Sequence, residues 1–345
     1  MIRYLIVIFA LIFAYYGCKK DHGTVTQVAS NKYGMIKGVV KDSISSSFID
    51  SAKITIELTN QIIYTDSLGQ YLFPGLLPNR YKVSVSKFGY AKTSKFSDVF
   101  ADDTTVANFR LSSLEKFIFN VSEGFIPLDT ICKPFTILYL KTERIFGSSD
   151  RPIIYSLNYD QTNINIDLLG IGGGNNTAVG PARAKIVLDI NVGDYSIFIK
   201  NDSYIDKYNL KVTDSYIKLI KSESIFTILE FGLYWRYPPN SFVYTCGTTT
   251  QTSWICDEFV DSLFAHIQLQ EFYFPDSGKI CYPNSSQGHY FDMPARYFNY
   301  NSENDFDIAG NILISYAQNT ISQYSGIGIT LWNWKNKHYL SWLYY

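Results

Sequence analysis

The sequence predicts a mainly β protein with an α+β C-terminal third, and three observations carry that reading. From about residue 34 to 222, apolar and polar residues alternate in short runs bounded by Gly, Pro, Asn and Asp. Tyr and Phe are abundant, at 28 and 24, and these side chains suit a pleated, half-buried surface. Helical spacing is confined to two late stretches, near 256–266 and 305–322. With 345 residues the chain exceeds the roughly 250–300 at which one core usually divides. Two or three domains are expected.

The N-terminus reads as an export signal over residues 1–17. Arg3 supplies the positive charge, and Tyr4 to Gly17 is an apolar run too short to cross a bilayer, which needs roughly 20 residues. Its end, Gly17-Cys18, resembles a bacterial lipobox, with Cys18 as the lipidation site. Tyr15 and Tyr16 depart from the small and aliphatic residues usual there. The plain alternative is a simple signal peptide with an incidental Cys. Residues 18–33 form a polar tether.

A first domain spans 34–112. Met35 to Val40, Ala52 to Leu58, Ile62 to Tyr64, Tyr71 to Phe73, Tyr81 to Val85 and Val106 to Leu111 read as strands. Asp66-Ser-Leu-Gly69, Pro74-Gly75 and Pro78-Asn79 read as turns. Short strands with frequent turn signals predict a small antiparallel sandwich.

Four segments carry a family resemblance: Gly38-Val-Val-Lys-Asp42, Asp50-Ser-Ala52, Thr65-Asp66…Gly69-Gln-Tyr71-Leu-Phe73, and Tyr81-Lys-Val-Ser-Val85…Gly89-Tyr90. Together they resemble the carboxypeptidase regulatory-like domain, a transthyretin-like module. The resemblance implies a seven-stranded β-sandwich without catalytic residues of its own. Ser51 stands where the family usually has Gly, and Ser45-Ser46-Ser47 replaces its Gly-Pro turn. Joined to a lipoprotein start, the module implies a cell-envelope protein of a Bacteroidetes-like bacterium, anchored to the outer membrane. The sequence leaves the surface and periplasmic sides undecided.

The peptidase that often accompanies this module is not legible. A zinc carboxypeptidase needs His-x-x-Glu and a distant His. None of His22, His266, His289 and His338 has Glu three residues on, and only His289, with Asp292, has an acid there. That pair lies in a loop-like segment. No Gly-x-Ser-x-Gly elbow is present. Gly170-Ile-Gly-Gly-Gly-Asn175 lacks a following helix and reads as an inter-strand loop, because a phosphate loop needs helix-end amides aimed at the anion. The residues call for no cofactor and no metal. A net charge of −1 offers no electrostatic case for nucleic acid.

Residues 115–222 predict a second sandwich-like domain. Its candidate strands are Phe135 to Leu140, Ile153 to Leu157, Ile164 to Leu168, Ala184 to Ile190, Tyr195 to Ile199 and Tyr208 to Val212. Gly193-Asp-Tyr-Ser-Ile-Phe-Ile199 repeats the device of Asn79-Arg-Tyr-Lys-Val-Ser-Val85, a polar turn followed by Tyr and alternating β-formers.

Residues 223–345 form the α+β domain. Phe226 to Tyr237 reads as one long aromatic strand. Phe259, Leu263 and Ile267 mark one helix. Ser302-x-x-Asp305 caps another over about 305–322. A hairpin from Ile327 to Tyr344 turns at Lys335-Asn-Lys337.

Setting Cys18 aside leaves Cys132, Cys246, Cys256 and Cys281, which allow three pairings. Cys246–Cys256 is favoured, because its polar intervening loop closes without strain and adds at most about 3 kcal/mol.

Two aromatic sets are candidate ligand platforms: Tyr234, Trp235 and Tyr237 with Arg236, and Trp332 with Trp334. The bland alternative is that a helix covers the Trp332 face. Glu303, Asp305 and Asp307 could hold calcium, but acids at a helix start already suit its dipole. The resulting expectation is a non-enzymatic, lipid-anchored binding or scaffold protein for glycan or peptide, with a glycan or protein partner. The rivals are an envelope hydrolase using Asp257, Glu258, Asp261 or Glu271, and a structural part of an outer-membrane assembly.

Overall fold

The computed structural model describes residues 32–126, 133–285, 291–322 and 325–344. Cys18, Cys132 and His289 lie outside them. The described chain forms two compact units, 32–86 with 93–110, and 87–92 with 111–344.

The first unit holds β1 (Gly34–Asp42), β2 (Lys53–Ile56), β3 (Gln61–Tyr64), β4 (Gln70–Leu76), β5 (Asn79–Ser86), β6 (Thr93–Val99), β7 (Thr104–Val106) and β8 (Phe109–Leu111). One sheet runs β4-β1-β7, with β8 also on β1. The other runs β3-β2-β5-β6. Alternation explains the layers: Ile54 and Ile56 face inward with Val83 and Val85, and all four are fully buried. The expected last strand is split at Ala107-Asn108, so both pieces lie along β1 and the strand count exceeds seven.

Pro74-Gly75, read as a turn, lies inside β4. The chain bulges there, shifting the register against β1, and Gly75 takes φ +68°. Ser46 and Ser51 occupy left-handed backbone at φ 59° and 48°. This is the conformation glycine adopts without cost, and both positions are ones at which the family resemblance expects a Gly-containing loop.

The second unit begins with β9 (Phe117–Gly124), β10 (Phe135–Phe146), β11 (Ile153–Asp160), β12 (Asn163–Ile171), β13 (Gly180–Val187), β14 (Gly193–Asn201), β15 (Tyr204–Val212), β16 (Tyr216–Glu223), β17 (Thr227–Leu229) and β18 (Leu233–Trp235). They form two sheets, β13-β10-β9-β17 and β11-β12-β14-β15-β16-β18. Phe119, Leu138, Ile164, Ile197 and Tyr208 are buried in the core between them. The sheets draw strands from beyond residue 222. The expected long strand from Phe226 is two short ones. The chain pairs with β9 at Thr227–Leu229, crosses at 230–232, and joins β16 in the opposite sheet.

The remainder comprises β19 (Ser241–Thr248), α1 (Trp254–His266), β20 (Gln270–Phe272), β21 (Phe291–Asp292), β22 (Arg296–Asn299), α2 (Glu303–Thr320), β23 (Gly328–Asn333) and β24 (His338–Leu340). The sheet runs β20-β22-β19-β23-β24, with β21 beside β19. Both helices pack on one face, burying Phe259, Leu263, Phe306 and Leu313 against Phe242, Ile329 and Leu331. The Asp305 carboxylate accepts the Ser302 N–H at 2.8 Å and fixes the α2 start. Cys246 of β19 is disulfide-bonded to Cys256 of α1, and Cys281 is a free thiol.

Candidate functional site

The second unit carries a cleft of about 830 Å³ on the outward face of the β13-β10-β9-β17 sheet. Strand alternation builds its floor. On β9, Phe117, Phe119 and Val121 turn into the core, so Ile118, Asn120 and Ser122 face out. On β10, Leu138 is buried in the core and Tyr139 and Lys141 face out, and on β13 Arg183 and Lys185 do the same. The walls are Glu230, Phe231 and Tyr234 and the returning segment 278–284.

Glu230 organises the polar floor. Its carboxylate accepts Asn120 Nδ2 at 2.7 Å and Lys141 Nζ at 2.8 Å. The Lys141 bond holds the Glu230 carboxyl below its usual range, against a smaller opposing effect of burial. Lys185 Nζ lies 5.6 Å from the centre of the Tyr139 ring. Tyr139 crosses close to Gly124: a Cβ there would fall 2.1 Å from the Tyr139 hydroxyl. Burial pushes that hydroxyl's pKa up.

The aromatic segment 234–237 meets this cleft at Tyr234. Tyr234 is buried and lines it. Trp235 donates its indole N–H to Ser277 O at 2.6 Å, and its backbone N–H goes to Lys279 O at 2.8 Å. These bonds dock segment 278–284 against β18. Gly278, at φ +95°, sits where a Cβ would meet Leu233 and the Trp235 indole, both at 2.9 Å. Arg236 donates Nε to the buried Glu123 carboxylate at 2.9 Å, and the Tyr237 N–H donates to the same group at 2.7 Å. Burial outweighs Arg236 and pushes the Glu123 pKa up. The Tyr237 ring packs edge-on against Tyr282 at 4.9 Å. Burial also pushes the Cys281 thiol up.

The other candidates lie elsewhere. Trp332 is on the sheet face opposite the helices, against Val243, Tyr282 and Tyr297. That face is covered by the aromatic strand and loop side chains of 272–282, whereas the helix alternative had placed a helix there. Trp334 donates its indole N–H to Tyr300 Oη at 3.0 Å. Both are half-buried and outside the cleft.

Glu303 pairs with Lys335, and Asp307 with Lys337 and Tyr339. Glu271 makes a two-point bond to Arg296 at 2.8 Å each. Glu258 accepts the Tyr316 hydroxyl at 2.8 Å, and Asp257 and Asp261 are exposed on α1. Sequence reasoning missed Asn120, Tyr139, Lys141, Arg183, Lys185, Glu230 and Phe231. Alternation alone could have marked the strand residues as outward-facing.

The cleft offers rings and hydrogen-bonding groups to a ligand. Glu230 is its one carboxylate among the described residues. Glycoside hydrolysis by paired carboxylates needs a second acid, which the described lining does not supply. Fold and cleft together define a multi-sheet β protein with a small N-terminal sandwich and a polar-aromatic groove.

Residues 35–112 match the family model of the carboxypeptidase regulatory-like domain. No curated protein matches the chain. Solved structures with partial likeness include a type II cohesin–X-dockerin complex from Acetivibrio cellulolyticus, at 16% identity and TM-score 0.20, covering 22% of this chain and 52% of that one. The Bacillus anthracis TIE protein gives 12% identity and TM-score 0.24, over 63% of this chain and 39% of that one. A Streptococcal ancillary pilin gives 11% and 0.24, over 58% and 62%. The chain thus spans about half the length of the first structure and two fifths of the second. Scores of this size bear on neither the fold nor the function of this chain.

Proposed function

We propose that this chain is a non-enzymatic, lipid-anchored cell-envelope protein that binds a glycan in the cleft over β9 and β10. The observation that carries the reading is the cleft itself. Its volume of about 830 Å³ lies in the range of small-ligand sites, roughly 300–1,000 Å³. Half-buried Tyr139 and Phe231 supply rings on which sugar faces stack. Asn120, Ser122 and Asn284 supply donors and acceptors for hydroxyl groups. The floor strands β9 and β10 are each paired on both sides, so their backbone is spent and no extended peptide can add to them. This favours sugar over peptide.

In the sequence, the regulatory-like sandwich follows the proposed anchor and tether. The anchor reading rests on the apolar run ending at Gly17-Cys18.

Screening the full chain on a glycan array tests the binding reading. We expect signal for at least one glycan class. Tyr139→Ala or Phe231→Ala should weaken it by about fivefold to tenfold, with the far-ultraviolet dichroism unchanged. Absence of signal for every glycan, with the folded protein verified, would refute it.

A further inference from the structure

We infer that the glycan bound in this cleft is anionic, its sugar rings carrying carboxylate or sulfate groups. The inference rests on the proposed use of the cleft as a glycan site and adds the ligand's charge. Lys141, Arg183, Lys185 and Lys279 line the cleft against the single carboxylate of Glu230, an excess of three positive charges among its described residues. The whole chain carries a formal charge of −1, so this excess is local and departs from the bulk composition.

The four cations are not equivalent. Lys141 is spent on Glu230 at 2.8 Å. Arg183, Lys185 and Lys279 have no carboxylate within ion-pair distance among the described residues. They come from two parts of the cleft: Arg183 and Lys185 from the β13 edge of the floor, and Lys279 from the wall segment docked on Trp235. A ligand lying over Tyr139 therefore meets positive charge from both sides.

Charges of one sign lining a concavity focus the local field and concentrate ligands of opposite charge. Arg183 adds geometry, since a guanidinium pairs with a carboxylate or sulfate through two parallel N–H bonds. Lys185, held over the Tyr139 ring, places a cation beside the surface on which a sugar face stacks. Lys279 feels the Glu230 charge without pairing with it, and Lys185 has only the Tyr139 ring. A neutral sugar would leave Arg183 and Lys185 with no anion to meet.

Calorimetric titration of the full chain with four polymers tests this. The probes are polygalacturonate, dextran sulfate, unmodified dextran and poly-L-glutamate. We expect polygalacturonate, dextran sulfate or both to bind at least about tenfold more tightly than dextran. Their affinity should fall several-fold as salt rises from about 0.05 M to about 0.5 M. The relative strength of the first two separates a carboxylated from a sulfated ligand. Replacing Arg183, Lys185 and Lys279 together by Gln should cost about 30-fold, since each exposed charge is worth a few-fold. Lys211→Gln, an exposed change on β15 in the other sheet, should leave binding unaltered.

Dextran binding as tightly as the charged polymers would overturn the inference and leave the glycan reading standing. Poly-L-glutamate binding more tightly than either charged polysaccharide would overturn the sugar class. Failure of all four probes, together with an empty glycan array, would bring down both.

Discussion

Asp206 is fully buried, and its carboxylate accepts four bonds from one short stretch of chain. The N–H groups of Ile225, Phe226 and Thr227 reach it at 2.7, 3.1 and 2.7 Å, and the Thr227 hydroxyl completes the set. A buried carboxylate is costly unless its lone pairs are met, and here the backbone meets them. The consequence reaches the cleft: Asp206 fixes the start of β17, and the chain leaves β17 directly into Glu230 and Phe231. Asp206→Ala would leave three buried or half-buried N–H groups unsatisfied. We expect a loss of about 3 kcal/mol or more, because each orphaned group costs about 1–3. Urea unfolding followed by fluorescence reads this directly. An exposed acid such as Asp194, changed to Ala, should move stability by less than about 0.5 kcal/mol. Equal effects at the two sites would mean that Asp206 anchors nothing.

Among the elements, α2 presents a case where two known effects oppose each other. Gly310 sits mid-helix, where Ala is normally better by about 1 kcal/mol. A Cβ there would fall 2.2 Å from the Tyr339 ring, which is held by its bond to Asp307 at 3.0 Å and by packing on Phe306. We expect overpacking to win, so that Gly310→Ala destabilises by about 1–2 kcal/mol. In a Tyr339→Ala background the sign should reverse, to a gain of up to about 1 kcal/mol. A thermodynamic cycle on the two positions measures the coupling, and additive effects would show that the ring simply moves aside. Both helices and the Ser302-x-x-Asp305 cap were legible in the sequence, because helix signals are local. The Phe226 to Tyr237 stretch was not. Its aromatic run alternates equally well as one strand or as two in opposite sheets, and only the crossing at 230–232 decides. The cleft was hidden for a related reason. Alternation marks Asn120, Tyr139, Lys141, Arg183 and Lys185 as outward-facing. Their convergence depends on the order β13-β10-β9-β17 and on the return of segment 278–284, and both are long-range facts. The sequence did point to Tyr234, which lines the cleft, and to Trp235, whose bonds dock segment 278–284.

At the scale of the whole molecule, the proposed cell-envelope role needs a means of retention as well as a cleft. The described residues contain no helix long and apolar enough to cross a membrane. In the proposed arrangement retention comes from acyl chains on Cys18, each buried methylene contributing about 0.8 kcal/mol, so that two or more chains hold stably and one does not. The polar stretch that follows, beginning Lys19-Lys20-Asp21-His22, offers little apolar surface to compete for the bilayer. The anchor and the cleft then act independently: removing the lipid should release the protein without changing its glycan affinity. Cells fed labelled palmitate should incorporate it into the parent chain and not into Cys18→Ser. The variant should shift from the membrane pellet to the soluble fraction and titrate with the same affinity. Retention of Cys18→Ser in the pellet after an alkaline wash would show that something other than the lipid holds the chain. The proposed division between a lipid that locates and a groove that binds would then fail.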